Sequence, residues 1–503
     1  MPILNRRQFV FATAAAAASA RSAFAEPASS PATLTLQPEQ LGAKIPASFI
    51  GLSYETEQLS DPNFFSVANK GLIAAFTELA PHGVLRIGGN TSDVGWWKAT
   101  SEATQPEIHF DHEDKNFTID KHQYAITPEA VRNLRGFLDA TGWTCLYGIN
   151  LGTNTPQRAA EEAVFVAKTL GAKLEYFQVG NEPDLFRMHL RDPKTWTAEK
   201  YFDEWLAEAQ AITRAVPSAK FGLPDTSGNP EWYAKVVTRL LELPASERPQ
   251  VAALSHHYYF NGPPKNPDVN IDLLLKHSAK VDQLTKDISS AAERLHVPYR
   301  MTEGNTCYLG GKPGVSDAFA ASLWAADYVL TLAKDGYAGV NLHGGGGDQV
   351  AASLGGTLPG EALMKDPKEP HARPFYTPIA HIDGKYVPEP VFYGMQFGQQ
   401  FSGAQMIGVE LAAGSVNATA YAAKLPNGKT LVAIINKDET QALTIDMPEA
   451  KGACTATLTA SSLTSKRVNW SGGRDFAKTA KCSATAKRPS FTVPAASALM
   501  LRF

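Results

Sequence analysis

The sequence predicts an α/β protein: a (β/α)8 barrel followed by an all-β sandwich domain that also takes an N-terminal strand. Three observations lead there. Between residues 46 and 403, short apolar strand candidates alternate with amphipathic helical patterns. The strands are continuous apolar runs, as expected where both faces of a parallel sheet are buried. From residue 404 to 503 the helical pattern stops, and strand-like runs are separated by Gly, Pro, Asn and Asp turns.

Taken in order, the barrel strands fall at residues 49–54, 84–87, 145–150, 174–179, 221–223, 251–255, 299–302 and 339–342. The helices between them have readable ends. Thr127-Pro128 caps and opens one, with Val131, Leu134, Phe137 and Leu138 on a single face. Thr155-Pro156 opens the next, and Gly171 closes it after Leu170. In the C-terminal domain, strands are expected at 416–425, 430–436, 442–447, 455–460 and 491–503. Within the segment 26–45, residues 32–38 read as one more strand. It is expected to pair with the C-terminal domain, so that both chain ends share one sandwich.

The first 25 residues read as a twin-arginine export signal. Arg6-Arg7 precedes an Ala-rich, mildly apolar stretch, and Ala23-Phe24-Ala25 has the small-x-small pattern of a cleavage site. The chain is therefore expected to be exported, to the periplasm or beyond, with the export machinery as a transient partner. No later apolar run reaches the roughly 20 residues that span a bilayer, so no membrane partner is expected of the mature form. Formal net charge is −3, and cleavage would remove three arginines and no acid. Such a chain has no general attraction for nucleic acid or other polyanions. Cys145, Cys307, Cys454 and Cys482 show no metal-ligand spacing. Cys145 reads as a buried thiol, while Cys454 and Cys482 are either free or joined in an oxidising compartment.

Two glutamates carry the chemistry. In a barrel of this kind, reactive groups stand at the C-terminal ends of strands. Glu182, in Val179-Gly180-Asn181-Glu182-Pro183, follows the fourth strand, and Glu303 ends the seventh. These strands lie across the barrel from each other, so both carboxyls can face one sugar. Glycoside hydrolysis needs such a pair: one carboxylic acid protonates the leaving oxygen, and the other carboxylate attacks the anomeric carbon when the two stand about 5–5.5 Å apart. A negative neighbour raises the donor's pKa and keeps it protonated. Asn181 is placed to hydrogen-bond the sugar 2-hydroxyl.

The chain resembles glycoside hydrolase family 79, the β-glucuronidases related to heparanase. The resemblance rests on Arg86-Ile87-Gly88-Gly89, Val179-Gly180-Asn181-Glu182-Pro183, His256-His257-Tyr258-Tyr259-Phe260-Asn261-Gly262, Asn266-Pro267-Asp268-Val269, and Glu303 with Tyr308 five residues on. It implies an exo-acting, retaining β-glucuronidase, with Glu182 as acid/base and Glu303 as nucleophile. It also implies a pocket for the sugar carboxylate made by Tyr308 and the amides of Gly310 and Gly311, where Leu309 interrupts the family's Tyr-Gly-Gly. Glycine amides of this kind form an anion-binding nest. Glu55, Asn90, His257, Tyr259 and Tyr376 are the further sugar contacts the resemblance implies.

Adjacent His256 and His257 point to opposite sides of a strand and cannot form a simple metal pair. One lines the pocket and the other is a core histidine. His343 with residues 344–348 lacks the Lys and Ser/Thr of a phosphate loop and reads as a loop over the mouth. Residues 111–114 read as a solvated acidic loop. No metal and no organic cofactor is expected; the partner is a carbohydrate, a β-glucuronide. The rivals are an endo-glucuronidase of heparan-sulfate type, which would need a basic stripe beside the cleft, another barrel glycosidase, and a non-catalytic carbohydrate-binding protein. Lys466-Arg467 and Lys487-Arg488 fall in the β-domain rather than the barrel.

Overall fold

The computed structural model describes residues 29–108, 110–111, 123–346, 374–474, 476, 481–482 and 489–503. The export signal lies outside the described residues, as do residues 112–114, 347–348 and 487–488 of the loops and basic pairs considered above.

After β1 (Ser29–Lys44), eight parallel strands close into a barrel. They are β2 (Ile50–Glu55), β3 (Val84–Gly88), β4 (Thr144–Ile149), β5 (Leu174–Val179), β6 (Lys220–Thr226), β7 (Gln250–Tyr259), β8 (Tyr299–Asn305) and β9 (Val340–Gly344). Neighbours in sequence are neighbours in the sheet, and β9 returns to pair with β2. A helix follows each strand: α1 (Lys70–Leu79), α2 (Pro128–Thr141), α3 (Pro156–Leu170), α4 (Ala198–Ala215), α5 (Pro230–Glu242), α6 (Ala279–Leu295), α7 (Phe319–Lys334) and α8 (Pro390–Gln399).

Local chemistry sets the helix boundaries. The Thr127 hydroxyl accepts from the Ala130 amide at the start of α2, and left-handed Gly142 (φ 79°) ends it. Thr155 does the same for α3 through the Arg158 amide. Val131, Leu134, Phe137 and Leu138 are buried against the barrel. Helix α7 is different. Nearly all its residues are buried, because it lies between the barrel and the β-domain. Its Asp327 accepts from Lys437 Nζ (2.6 Å), Tyr421 OH (2.6 Å) and Thr419 Oγ1, tying the two units together.

The C-terminal strands are β10 (Gln405–Ala412), β11 (Ala418–Lys424), β12 (Thr430–Asn436), β13 (Ala442–Asp446), β14 (Cys454–Thr459), β15 (Ser490–Val493) and β16 (Ser497–Arg502). They run β14-β16-β12-β11-β10-β1-β13-β15 across one folded sheet. The N-terminal strand does join this domain, and it is longer than its sequence pattern indicated. Its first residues pair parallel with β13 and the rest antiparallel with β10. Leu34 thereby enters a core with Ile407, Val432, Ile434, Leu443, Ile445 and Leu501.

Two expectations need correction. The sequence indicated no strand at 405–412, where Gly408 interrupts an already short apolar run. The single strand expected over 491–503 is two, broken at Pro494–Ala496, where Ala496 takes a left-handed φ of 45°. Cys454 and Cys482 form a disulfide, and Cys145 and Cys307 are free and buried. Among the described residues, no helix is long and apolar enough to cross a membrane.

Candidate active site

The C-terminal ends of the barrel strands bring the two glutamates together. Glu303 lies within β8 and Glu182 just beyond β5. Carboxylate oxygens of both, with a ring nitrogen of His257 on β7, lie within 4.8 Å of one another. Glu303 is buried, and Glu182 is part-buried, its side chain 13% exposed. Glu182 adopts a left-handed backbone (φ 44°), which is uncommon for a residue with a Cβ. Left-handed Gly180 precedes it, and its own amide donates to the Asp225 carbonyl at 3.0 Å.

Arg86 organises the floor. Its guanidinium donates to Glu303 Oε2 (2.6 Å), Ser53 Oγ (3.0 Å), Gln178 Oε1 (3.0 Å) and Asn181 Oδ1 (2.8 Å). A buried charge is tolerated when it is paired and its donors are satisfied, and this one has partners on three strands and a loop. The glycines after it make the room. A Cβ on Gly88 would strike the Arg86 guanidinium, and one on Gly89 would strike the Glu55 carboxylate. This is the physical content of Arg86-Ile87-Gly88-Gly89.

The remaining expected residues divide into two groups. The first surrounds the carboxylates. Tyr259 OH donates to Glu303 Oε1 at 2.9 Å. His257 Nδ1 stands 3.1 Å from Glu182 Oε1, while His256 points the other way, to Tyr337 OH at 3.0 Å. Asn181 has its amide fixed at both ends, accepting from Arg86 and donating to Asn90 Oδ1 at 3.1 Å. Glu55 accepts from the Thr91 amide and hydroxyl (2.9 and 2.6 Å) and faces His343 Nε2 at 3.4 Å. Tyr376 is buried, its ring 5.9 Å from that of Tyr259.

The second group is a rim. Tyr308 is 39% exposed, and its ring covers Gly262, where any Cβ would collide with it. Leu309, Gly310 and Gly311 are all left-handed (φ 56°, 81° and 84°). This loop joins the Tyr376 segment through the Phe375 amide, which donates to the Gly310 carbonyl. Among the described residues, no contact links Tyr308 directly to Glu182 or Glu303.

The two glutamates titrate in opposite directions. Burial raises Glu182, and the charge of Glu303 adds to this, against the pull of His257. The larger cause is thus burial, where the sequence argument had named only the neighbouring charge. Burial also acts to raise Glu303, but His343, His257, Arg86 and the Tyr259 hydroxyl outweigh it and hold the group well below the usual carboxylate range. The two carboxyls are thus pushed apart, Glu182 toward its neutral form and Glu303 toward its charged one.

Sequence reasoning gave no role to Arg86, Gln178, Asp225 or Ser53, and read His343 as part of a loop. Arg86 had a usable signal: a charge inside an otherwise apolar strand buried on both faces needs a partner. Asp225, in Leu223-Pro224-Asp225-Thr226 at the end of β6, had a weaker one. The trio Glu182, His257 and Glu303 has the spacing to hold a cation. Yet Glu303 already pairs with Arg86, and both nitrogens of His257 face carboxylates, so the donor set does not call for a metal.

An eight-stranded barrel with two carboxyls facing each other at its mouth and an appended β-sandwich has the fold of the TIM-barrel glycosidases. It superposes on a 4-O-α-L-rhamnosyl-β-D-glucuronidase from Fusarium oxysporum with a TM-score of 0.68 at 16% identity, covering 94% of this chain and 100% of that one. A family 51 arabinofuranosidase from Xanthomonas axonopodis pv. citri gives 0.61 at 15% identity, covering 94% and 99%. At such identities the likeness is one of fold. In sequence, the chain is 27% identical over 308 residues to a β-glucuronidase of Aspergillus niger, 57% of this chain and 55% of that protein. It is also 27% identical over 320 residues to a β-glucuronidase of Neurospora crassa, 57% and 54%. The chain thus spans little more than half the length of the curated relatives it matches. No protein-family model matches it.

Proposed function

We propose that the protein is a retaining exo-β-glucuronidase of glycoside hydrolase family 79, releasing terminal β-D-glucuronic acid from glycans or glucuronides. The observation that carries this reading is the pair Glu182 and Glu303 at the barrel mouth, with oxygens within 4.8 Å and opposed titration. That closeness supports the nearer placement of a retaining pair over the roughly 6.5–9.5 Å of an inverting one. The sequence likeness to two fungal β-glucuronidases supports the choice of sugar.

In the first step, Glu303 attacks the anomeric carbon and forms a glycosyl ester. The bond to the leaving oxygen breaks, and that oxygen takes the Glu182 proton. In the second, Glu182 removes a proton from water, which attacks the same carbon and releases Glu303. Asn181, held by Arg86 and Asn90, keeps a side-chain N–H for the sugar 2-hydroxyl. Glu55 and Asn90 serve other hydroxyls. Tyr308 and the Gly310 and Gly311 amides receive the C6 carboxylate. We further assign residues 1–25 to an export signal and place the mature enzyme outside the cytoplasm.

The test is hydrolysis of 4-nitrophenyl β-D-glucuronide beside the β-D-glucoside and the α-L-arabinofuranoside, with early NMR of the released sugar. Preference for the glucuronide with β-product first is expected. α-Product first rules out double displacement, and preference for either other sugar rules out the assigned pocket. Larger oligosaccharides from a polymeric substrate would turn the reading toward the endo mode.

A further inference from the structure

Asp225 is buried at the end of β6, and it reaches Glu182 by two routes, one direct and one through His257. Its carbonyl accepts the Glu182 amide at 3.0 Å. Its carboxylate faces His257 Nε2 at 3.4 Å, and His257 Nδ1 in turn stands 3.1 Å from Glu182 Oε1. Gln178 Nε2 and Thr302 Oγ1 also donate to the Asp225 carboxylate, fixing it in place. Like Glu182, Asp225 has a left-handed backbone, with φ 49°. Two uncommon backbone conformations thus meet across one hydrogen bond.

We propose that Asp225 is a positioning residue for the proton-donating step: it holds the His257 ring doubly protonated and aimed at Glu182, so that the carboxylate left when Glu182 gives up its proton meets an imidazolium. The proposal rests on the acid/base role of Glu182. Nδ1 faces Glu182 and Nε2 faces Asp225, so once Glu182 is ionised only the doubly protonated ring turns an N–H toward each carboxylate. The charged groups around the ring favour the same state. Glu182 beyond β5, Asp225 on β6 and Glu303 on β8, at 4.0 Å, are acidic, with Asp184 further out. Arg86 on β3 opposes them, and His256 on β7 points away. Burial lowers His257, but Glu303, Asp225 and Glu182 outweigh both burial and Arg86 and hold the ring up at about 9. The proton balance is simple. Glu182 loses its proton to the leaving oxygen as the glycosidic bond breaks, and His257 keeps both of its own.

The experiment compares the pH dependence of kcat/KM on 4-nitrophenyl β-D-glucuronide in wild type and Asp225→Asn. Without the charge the ring becomes neutral near pH 7, and Glu182 loses its cationic neighbour. The basic limb should rise by about one pH unit or more, and the acidic limb, set by Glu303, should rise by less, because His343 and Arg86 still hold that group down. A uniform loss at every pH with no displaced limb would reduce Asp225 to a structural support and overturn the proposal. A second measurement does not depend on the variant folding or on turnover. The 15N NMR signal of His257 in labelled wild type, assigned by its loss in His257→Gln, should titrate near pH 9. A ring already neutral at pH 7 overturns the proposal. Wild type that cleaves no β-glucuronide would instead refute the proposed function, and the NMR titration would still decide the His257–Asp225 pair.

Discussion

The ends of β5 and β8 present the same side chain to the same space and make opposite use of it. At β8, Glu303 stays within the strand, just past a register shift against β7, and its two oxygens are gripped by Arg86 and Tyr259, with His343 and His257 close by. Every one of these neighbours favours the charged form. At β5 the strand has already ended. Gly180 and Glu182 are left-handed, and the Glu182 side chain meets one ring nitrogen where Glu303 meets a guanidinium and a phenol. Burial then dominates and favours the neutral form. On the proposed reading, the number of cationic and hydroxyl partners each strand end supplies is what makes one carboxyl the donor and the other the nucleophile.

The largest effect expected from that contrast is at Glu303. Glu303→Gln keeps the shape but cannot form the glycosyl ester, so turnover should fall by on the order of 10⁴-fold or more. Added azide should not restore it. Glu182→Ala should be milder on a substrate with a good leaving group, with a loss of about 10²–10⁴-fold. Azide should speed that variant, because the missing base is needed only for water in the second step. Steady-state rates on 4-nitrophenyl β-D-glucuronide with and without azide measure both. Rescue at Glu303 and none at Glu182 would exchange the two roles.

The sequence made the two strand ends legible to different degrees, for a physical reason. The eight barrel strands are apolar because they are buried on both faces, so their order could be counted and Glu182 and Glu303 assigned to opposite sides. What surrounds each glutamate could not be counted. Arg86 and Asp225 reach the site from two other strands to meet Gln178 of β5, and only closure of the barrel brings them together. The direction of the Glu182 shift could be anticipated from the neighbouring charge, but its larger cause, burial, is a property of the assembled mouth. In the β-domain the miss was of another kind. β10 has a weak pattern of its own because much of its pairing is supplied by β1, some 370 residues earlier in the chain.

The end of β8 differs from that of β5 in a second way, because the chain after Glu303 continues into the rim loop of Tyr308, Leu309, Gly310 and Gly311. No comparable run follows Glu182, where Pro183 begins a short 3-10 turn. If the rim loop reads the C6 carboxylate, Tyr308→Phe removes one donor to a charged group, worth about 1.5–3 kcal/mol. At about 1.4 kcal/mol per factor of ten, kcat/KM on the β-glucuronide should fall roughly 10- to 100-fold. The β-glucoside has no carboxylate to lose, so its rate should change little. The half-exposed position of Tyr308 tends toward the smaller figure, because water can partly replace the lost donor. Parallel kinetics on both substrates measure the difference. An equal fall on both would mean that Tyr308 acts by packing over Gly262 and holding the β7 end, which reaches Glu303 through Tyr259. The sugar carboxylate would then have to be read by the backbone amides of Leu309, Gly310 and Gly311 alone, which substitution of the tyrosine hydroxyl leaves in place.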